Sequence, residues 1–279
     1  MIGLEATDLW PLLLKEDAPE GDATCNSLDL PPLERSAKII AKEDIKLSGS
    51  EVIFSQIPKE LEIRSDIFFK DGETVYTGQC LAILEGHWKP LLLVERPLLN
   101  WLGHFSGIAT QAWRFCEEVR RANCKIIDTR KTMPLFRDFE KKAVLDGGAY
   151  NHRANLSEAM MLKENHLSLY DYNLRKAITD CLEAHPDKHL TVEASQLGQV
   201  EIISKTKAHR IMLDNFSNQE IVRALKVIKK INSNIEVEAS GGMTIDRVRS
   251  VAKLGVDYIS VGALTHSAPQ ADLTFLMDF

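Results

Sequence analysis

Arg130, Lys131, His152, Arg153 and Lys163 bring five basic side chains into one stretch of the chain. A guanidinium offers a planar fork that matches a carboxylate or phosphate, and a lysine ammonium is a compact point charge. A set containing both suits more than one anionic group. A solvated charged face is the simpler reading, but Thr129–Pro134 and Gly147–Arg153 have the composition of turns, not of a helix face. His152 taken alone could be an ordinary structural histidine. Two carboxylates follow, Glu193 and Asp214, with no cysteine or histidine beside them to suggest zinc. Facing a phosphorylated sugar, they could hold Mg2+, bind ribose hydroxyls or lie near a positive charge developing at an anomeric carbon. Salt bridges to the cations are their simpler reading. Ser240-Gly241-Gly242 and Ser260-Val261-Gly262 complete the set. Glycines let backbone N–H groups approach an oxygen cluster, and a helix expected over Thr244–Leu254 would add a favourable dipole. Tight turns explain one such loop as readily; two on consecutive strands favour phosphate.

Apart from His152 and Arg153, these residues share a position, because each stands at or just beyond the end of a short apolar run. The runs are Cys124–Asp128, Met160–Lys163, Leu190–Glu193, Ile211–Asp214, Ile235–Ala239 and Tyr258–Val261, several separated by amphipathic stretches of helical length. That alternation predicts parallel strands with helical crossovers. Six strands leave an incomplete α/β barrel and a doubly wound sheet both open. In a barrel the C-terminal rim is the active face, and six polar strand ends are hard to attribute to stability alone.

The first third reads differently. Leu4, Leu9, Leu12, Leu13 and Leu14 suggest a helix before the turn Glu20-Gly21-Asp22, and from Ser36 to Val94 apolar runs alternate with turns such as Asp71-Gly72. Pro97–Arg121 then carries apolar residues at spacings of three and four, predicting one long helix or two in succession. The expected division is an N-terminal α+β domain over 1–103 and a barrel over 104–265, with the tail 266–279 returning to the first domain.

Composition narrows the partners. The 279 residues carry 34 basic and 40 acidic side chains, a net charge of −6, yet positions 96–166 hold 12 bases and 8 acids, which makes that window +4 and the remainder −10. Small anions fit this better than a polymer: the pI is near 5.8 and no basic run is present, so a nucleic-acid partner is not expected. No apolar run reaches the roughly 18 residues of a membrane span, and an acid near the start argues against a secretory leader, so a cytoplasmic location is the default. The five cysteines form no Cys-x-x-Cys pair and read as small buried thiols.

Longer stretches carry a resemblance. Glu95-Arg96-Pro97-Leu98-Leu99-Asn100, Asp128-Thr129-Arg130-Lys131-Thr132, Gly147-Gly148-Ala149-Tyr150-Asn151-His152-Arg153, Leu162-Lys163-Glu164-Asn165-His166, Leu213-Asp214-Asn215, Glu238-Ala239-Ser240-Gly241-Gly242 and Ser260-Val261-Gly262-Ala263-Leu264-Thr265-His266 resemble, in order and spacing from about Glu16 onward, the quinolinate phosphoribosyltransferase family. Two departures are a turn at Glu16–Asp22 without an early glycine, and Thr191 where a second acid often precedes Glu193.

The resemblance implies an incomplete α/β barrel of six to seven parallel strands beside an N-terminal α+β sandwich. It implies a reaction of quinolinate with 5-phosphoribosyl pyrophosphate (PRPP) giving nicotinate mononucleotide, carbon dioxide and pyrophosphate, with Mg2+ and no organic cofactor. By similarity Arg96, Arg130, His152, Arg153 and Lys163 bind the two carboxylates of quinolinate. Thr129 belongs to the same substrate-binding set, and Lys131 and Lys163 reach the donor. Glu193 and Asp214 face ribose and metal, and Ser240, Gly241, Gly242, Ser260, Val261 and Gly262 hold the 5′-phosphate. Lys131, Lys163, Glu193 and Asp214 are then the catalytic set. The resemblance also implies a homodimer, with further assembly open, in which Arg96 reaches the neighbouring site. Alternatives are a paralogue of the same fold associated with molybdenum transport, and a barrel aldolase using Lys163 as a Schiff-base lysine. Around Asp71-Gly72 there is a faint similarity to the turn of biotinyl or lipoyl carriers, without their lysine.

Overall fold

The computed structural model describes residues 9–278. In chain order its elements are α1 (Leu9–Asp17), α2 (Ala23–Ser27), β1 (Glu34–Ala41), β2 (Ile45–Lys46), α3 (Ser50–Ser55), β3 (Arg64–Ile67), β4 (Thr74–Val75), β5 (Cys80–His87) and α4 (Trp88–Val119). There follow β6 (Lys125–Ile127), α5 (Arg137–Asp146), β7 (Met160–Leu162), α6 (Glu164–Ser168), α7 (Leu174–Ala184), β8 (Leu190–Ala194), α8 (Leu197–Ser204) and β9 (Arg210–Asp214). The chain ends with α9 (Asn218–Ile231), β10 (Glu236–Ser240), α10 (Ile245–Ala252), β11 (Tyr258–Ser260), α11 (Ala263–His266) and β12 (Leu273–Met277). Two compact units emerge. One takes the described residues up to Trp113 with Thr132–Gly148 and the segment from Ser267; the other takes Arg114–Lys131 and Ala149–His266. Residues 104–113 and 132–148 thus lie with the first unit, and the division falls within α4.

The first unit is built on an antiparallel sheet of order β12-β1-β5-β3 with a small β2-β4 ladder. Ala37, Ile39 and Ala41 alternate into the core along β1, as a half-buried strand requires. Leu4 of the anticipated first helix lies outside the described residues; Leu9 and Trp10 are buried, and the Trp10 indole donates to the Ile53 carbonyl at 2.8 Å. The long helix begins nine residues before Pro97, so the apolar run up to Val94 is helical where a sheet pattern was expected to continue. A run of consecutive apolar residues has no readable period, which is why its start was not visible. Asp71 accepts hydrogen bonds from the Gly49 and Ser50 N–H groups and from the Ser50 hydroxyl. Its turn is therefore a structural tie, not the exposed tip of a carrier.

The second unit carries the six-stranded parallel sheet of order β6-β11-β10-β9-β8-β7. From β7 to β11 each strand lies beside its chain predecessor, and the last pairs with the first of the unit, Ile259 opposite Ile126. A doubly wound sheet would reverse direction at a switch point; one-way winding that returns to its start is a barrel lacking the β6–β7 seam. Every anticipated strand is present within two residues of its expected ends. Ser217 and Thr244 cap α9 and α10 by accepting the N–H groups of Glu220 and Arg247.

Candidate active site

Alternation along the strands decides what faces inward. Ile211, Leu213, Val237, Ala239 and Ile259 are buried, while the intervening residues Arg210, Met212, Asp214, Glu236, Glu238, Ser240, Tyr258 and Ser260 share the opposite face. At the C-terminal ends this polar face opens into a cavity of about 320 Å³ lined by Thr129, Arg130, Lys131, His152, Arg153, Met161, Lys163, Met212, Asp214, Glu238, Ser240 and Ser260. Larger cavities exist among the described residues, but two of them, of about 540 and 530 Å³, have different linings. One in the first unit is walled by Trp101, Phe105 and Phe136, and one near α7 and α8 by Ile178, Leu182 and Pro186. Neither collects opposed charges on strand ends.

The cations of the rim are held by their backbones. Beyond β6, Asp128 is fully buried and its carboxylate accepts the His152 N–H at 2.7 Å, while the Tyr150 N–H and C=O bond Ile126 and Asp128 in a ladder-like pair. His152 Nδ1 accepts the Arg153 N–H at 2.7 Å, and the Arg153 guanidinium donates to the Ala159 carbonyl at 2.8 Å. Thr265 donates to the Lys131 carbonyl at 2.7 Å, which fixes the loop bearing Thr129, Arg130 and Lys131. Burial and the neighbouring charge of Arg130 both push the Arg153 guanidinium below its ordinary value. The buried Nε of Arg130 has no hydrogen-bond partner among the described residues. Two partly desolvated guanidiniums lining one cavity, with no acid bonded to either among the described residues, could receive an anion.

Lys163, at the end of β7, is bonded to Glu193 on the neighbouring strand β8. Asp214 accepts from the Asn215 side chain at 2.7 Å, and the Asn215 N–H reaches across to the Ser240 carbonyl at 3.0 Å. Asn215 stands in the left-handed region, φ 57°, which asparagine tolerates better than most residues. Gly241, at φ 95°, passes so close that a Cβ would sit 2.1 Å from Asn215 Oδ1; only glycine fits. Arg247 on α10 then donates to the Gly241 and Phe216 carbonyls, each at 2.8 Å, holding the glycine loop in place.

Nine of the anticipated site residues line one cavity, and Glu193 joins them through Lys163. Gly241, Gly242, Val261 and Gly262 belong to the loops beside it, with Val261 itself buried. Arg96 stands exposed on α4 in the first unit and is not among the lining residues. Met161, Met212 and Glu238 line the cavity without having been singled out. Glu238 was findable: it is a charged residue inside a strand, two positions from the strand's end, where alternation sends it to the same face as Ser240.

A rim of this kind on an incomplete α/β barrel defines an enzyme built for small, multiply anionic substrates. Two family models together match most of the chain: "Quinolinate phosphoribosyl transferase, N-terminal domain" over residues 22–106 and the "C-terminal domain" of the same family over 108–276. A curated relative from Methanocaldococcus jannaschii, a probable nicotinate-nucleotide pyrophosphorylase [carboxylating], is 36% identical, covering 94% of this chain and 93% of its own. A mitochondrial quinolinate phosphoribosyltransferase [decarboxylating] from Nicotiana tabacum is 34% identical over 96% of this chain and 80% of its own. The solved structure of nicotinate-nucleotide pyrophosphorylase from Francisella tularensis superposes with a TM-score of 0.91 at 30% identity, covering 98% of this chain and 96% of that one. The chain belongs to the quinolinate phosphoribosyltransferase family.

Proposed function

We propose that the protein transfers the phosphoribosyl group of PRPP to quinolinate with loss of carbon dioxide, giving nicotinate mononucleotide and pyrophosphate for NAD synthesis. The observation that carries this reading is the cavity that Arg130 and Arg153 line together, two guanidiniums without a described acid partner, with the Lys163–Glu193 pair at its edge. Quinolinate brings two carboxylates to that rim. Arg130, Arg153 and Lys163 would take them, with His152 as one wall, while Lys131 and Lys163 reach the donor. The loops Ser240–Gly242 and Ser260–Gly262 would receive the 5′-phosphate. Ribosyl transfer needs a stabilised oxocarbenium-like centre and a neutralised leaving group; Asp214 and Glu193 serve the first and the lysines the second. Once the ring nitrogen carries ribose, the pyridinium is its own electron sink, so loss of the C2 carboxylate requires no organic cofactor.

The carboxylates Glu193 and Asp214 fit a Mg2+ ion that arrives with PRPP. A hard cation of this kind keeps waters and phosphate oxygens and needs only one or two protein carboxylates; among the described residues no cluster of three or more His, Cys, Asp or Glu would hold an ion alone. Bound there, it would supply charge neutralisation at the pyrophosphate. Incubating the purified protein with quinolinate, PRPP and Mg2+ should yield nicotinate mononucleotide and carbon dioxide in equal amounts. Absence of both would overturn the reading, and trapping of a carbonyl substrate on Lys163 by borohydride would favour the aldolase instead.

The working form on this reading is a homodimer in the cytoplasm. Among the described residues no helix is long and apolar enough to cross a membrane. Arg96, exposed and outside the cavity lining, would serve the partner's site, as a two-fold contact requires of both subunits. Inactive Arg96→Ala and Lys163→Ala subunits, mixed and exchanged, should recover about a quarter of wild-type activity. No recovery would mean that Arg96 serves its own barrel.

A further inference from the structure

Between Arg153 and β7 the chain passes through residues 154–159 without helix or strand. The segment joins the two edges of the open sheet: Tyr150, just ahead of it, is bridged to Ile127 of β6, and Met160, just after it, begins β7. Asn155 and Glu158 are exposed, yet both side chains turn back on the backbone. The Ala154 N–H donates to the Glu158 carboxylate at 2.6 Å, and the Asn155 side-chain oxygen accepts the N–H groups of Ser157 and Glu158 at 2.9 and 3.0 Å. Turns of this kind give a side-chain acceptor to N–H groups that an irregular loop would leave to water. Lys188 donates to the Ser157 carbonyl, and Arg153 Nη1 closes the arch by donating to the Ala159 carbonyl at 2.8 Å.

That last bond reaches into the cavity's chemistry. Arg153 and Arg130 line the cavity together, and burial and the charge of Arg130 both disfavour the Arg153 cation. No carboxylate among the described residues is bonded to Arg153, so the Ala159 carbonyl is the acceptor that keeps its guanidinium in place against that repulsion. A guanidinium without such a hold is better hosted by water than by a partly buried wall, while one bond to a carbonyl leaves its other N–H groups for a ligand. We propose that Asn155 and Glu158 are positioning residues for a substrate carboxylate: they fix the arch, the arch fixes the Ala159 carbonyl, and the carbonyl keeps Arg153 aimed into the cavity. Neither side chain lines the cavity itself. The kinetic readout rests on the reaction proposed above, and the spectroscopic one on the arch alone.

Four variants test it. Asn155→Ala and Glu158→Ala each remove one acceptor from an exposed loop, so circular dichroism and Tm should stay close to wild type. Asn155→Asp and Glu158→Gln keep an oxygen at the same place and serve as rescues. For each, KM is measured for quinolinate and for PRPP, and solvent exchange of the Arg153 guanidinium protons is followed in 1H–15N spectra. Asn155→Ala and Glu158→Ala should speed that exchange and raise the quinolinate KM about tenfold, with the PRPP KM within about twofold of wild type, since moving a binding group by about 1 Å suffices for such a loss. Asn155→Asp and Glu158→Gln should stay within about twofold of wild type in both constants. A wild-type quinolinate KM in either Asn155→Ala or Glu158→Ala overturns the proposal. So does an equal rise in both constants, or a conservative variant as impaired as its alanine counterpart. If the wild-type protein makes no nicotinate mononucleotide, the reaction falls, and the spectra still decide the role of the arch: exchange unchanged in Asn155→Ala and Glu158→Ala overturns it.

Discussion

Two arginines in the barrel unit have opposite surroundings. Arg153, at the rim, is pushed below its ordinary value by burial and by the charge of Arg130. Arg210, a layer deeper, is also disfavoured by burial, but Glu238 and Glu236 more than compensate and raise it. On the proposed reaction the difference separates a substrate-binding charge from a supporting one. A buried cation with two carboxylates is complete and holds strands β9 and β10 together; a partly buried cation beside another cation is complete only when a ligand supplies the missing charge.

The comparison can be broken most sharply through the substrate. If the rim awaits two carboxylates, nicotinate leaves positive charge unpaired, and its kcat/KM should fall below that of quinolinate by about 10³-fold or more. Similar specificity constants would mean that the rim is matched to something else. Next comes the rim itself. Arg130→Gln or Arg153→Gln should weaken quinolinate binding by about 2–4 kcal/mol, with circular dichroism and Tm close to wild type. A fully active Arg130→Gln enzyme would remove that residue from the site.

The deeper arginine should behave in the reverse manner. Arg210→Met leaves Glu238 and Glu236 short of a cation and should cost about 3 kcal/mol of stability in denaturant titration, with little change in quinolinate KM. A large KM change without loss of stability would erase the distinction between the layers. A smaller effect lies in acid. Glu238 has a folded value below its ordinary 4.5, so its stabilisation is present above that pH and is lost as the pH falls through the folded value. Glu238→Gln should therefore flatten the dependence of Tm on pH below about 4.5; unchanged slopes would assign the acid sensitivity to other carboxylates. Smallest of all are the cysteines. Burial pushes Cys124 up to about 12 and Cys116 to about 11, so both thiols stay protonated, and peptide mapping of native protein treated with iodoacetamide at neutral pH should find neither alkylated.

Much of the site was legible because strand ends are places where polarity has no structural excuse. Asp128, Lys163, Glu193, Asp214 and Ser240 each close an apolar run, and the structure gathers them about one barrel end. Glu238, Arg210 and Glu236 were passed over for the opposite reason. Glu236 and Glu238 lie inside a run that reads as a strand and Arg210 stands one residue before another, and only the period of two, followed inward from the strand ends, assigns them to the barrel interior. The start of α4 was illegible, because four apolar residues in succession before Pro97 carry no phase.

By itself, then, the sequence determined the barrel unit's alternation of strands and helices, the polar ends of those strands and the excess of positive charge around them, all local matters of periodicity and composition. The tertiary structure decided which charges are satisfied. Arg130 and Arg153 lie twenty-three positions apart in the chain, as Arg210 and Glu238 lie twenty-eight apart, and nothing local distinguishes the repelling pair from the attracting one. Coulomb energy depends on separation and on the water excluded between groups, and both are properties of the closed sheet, not of the order of residues along it.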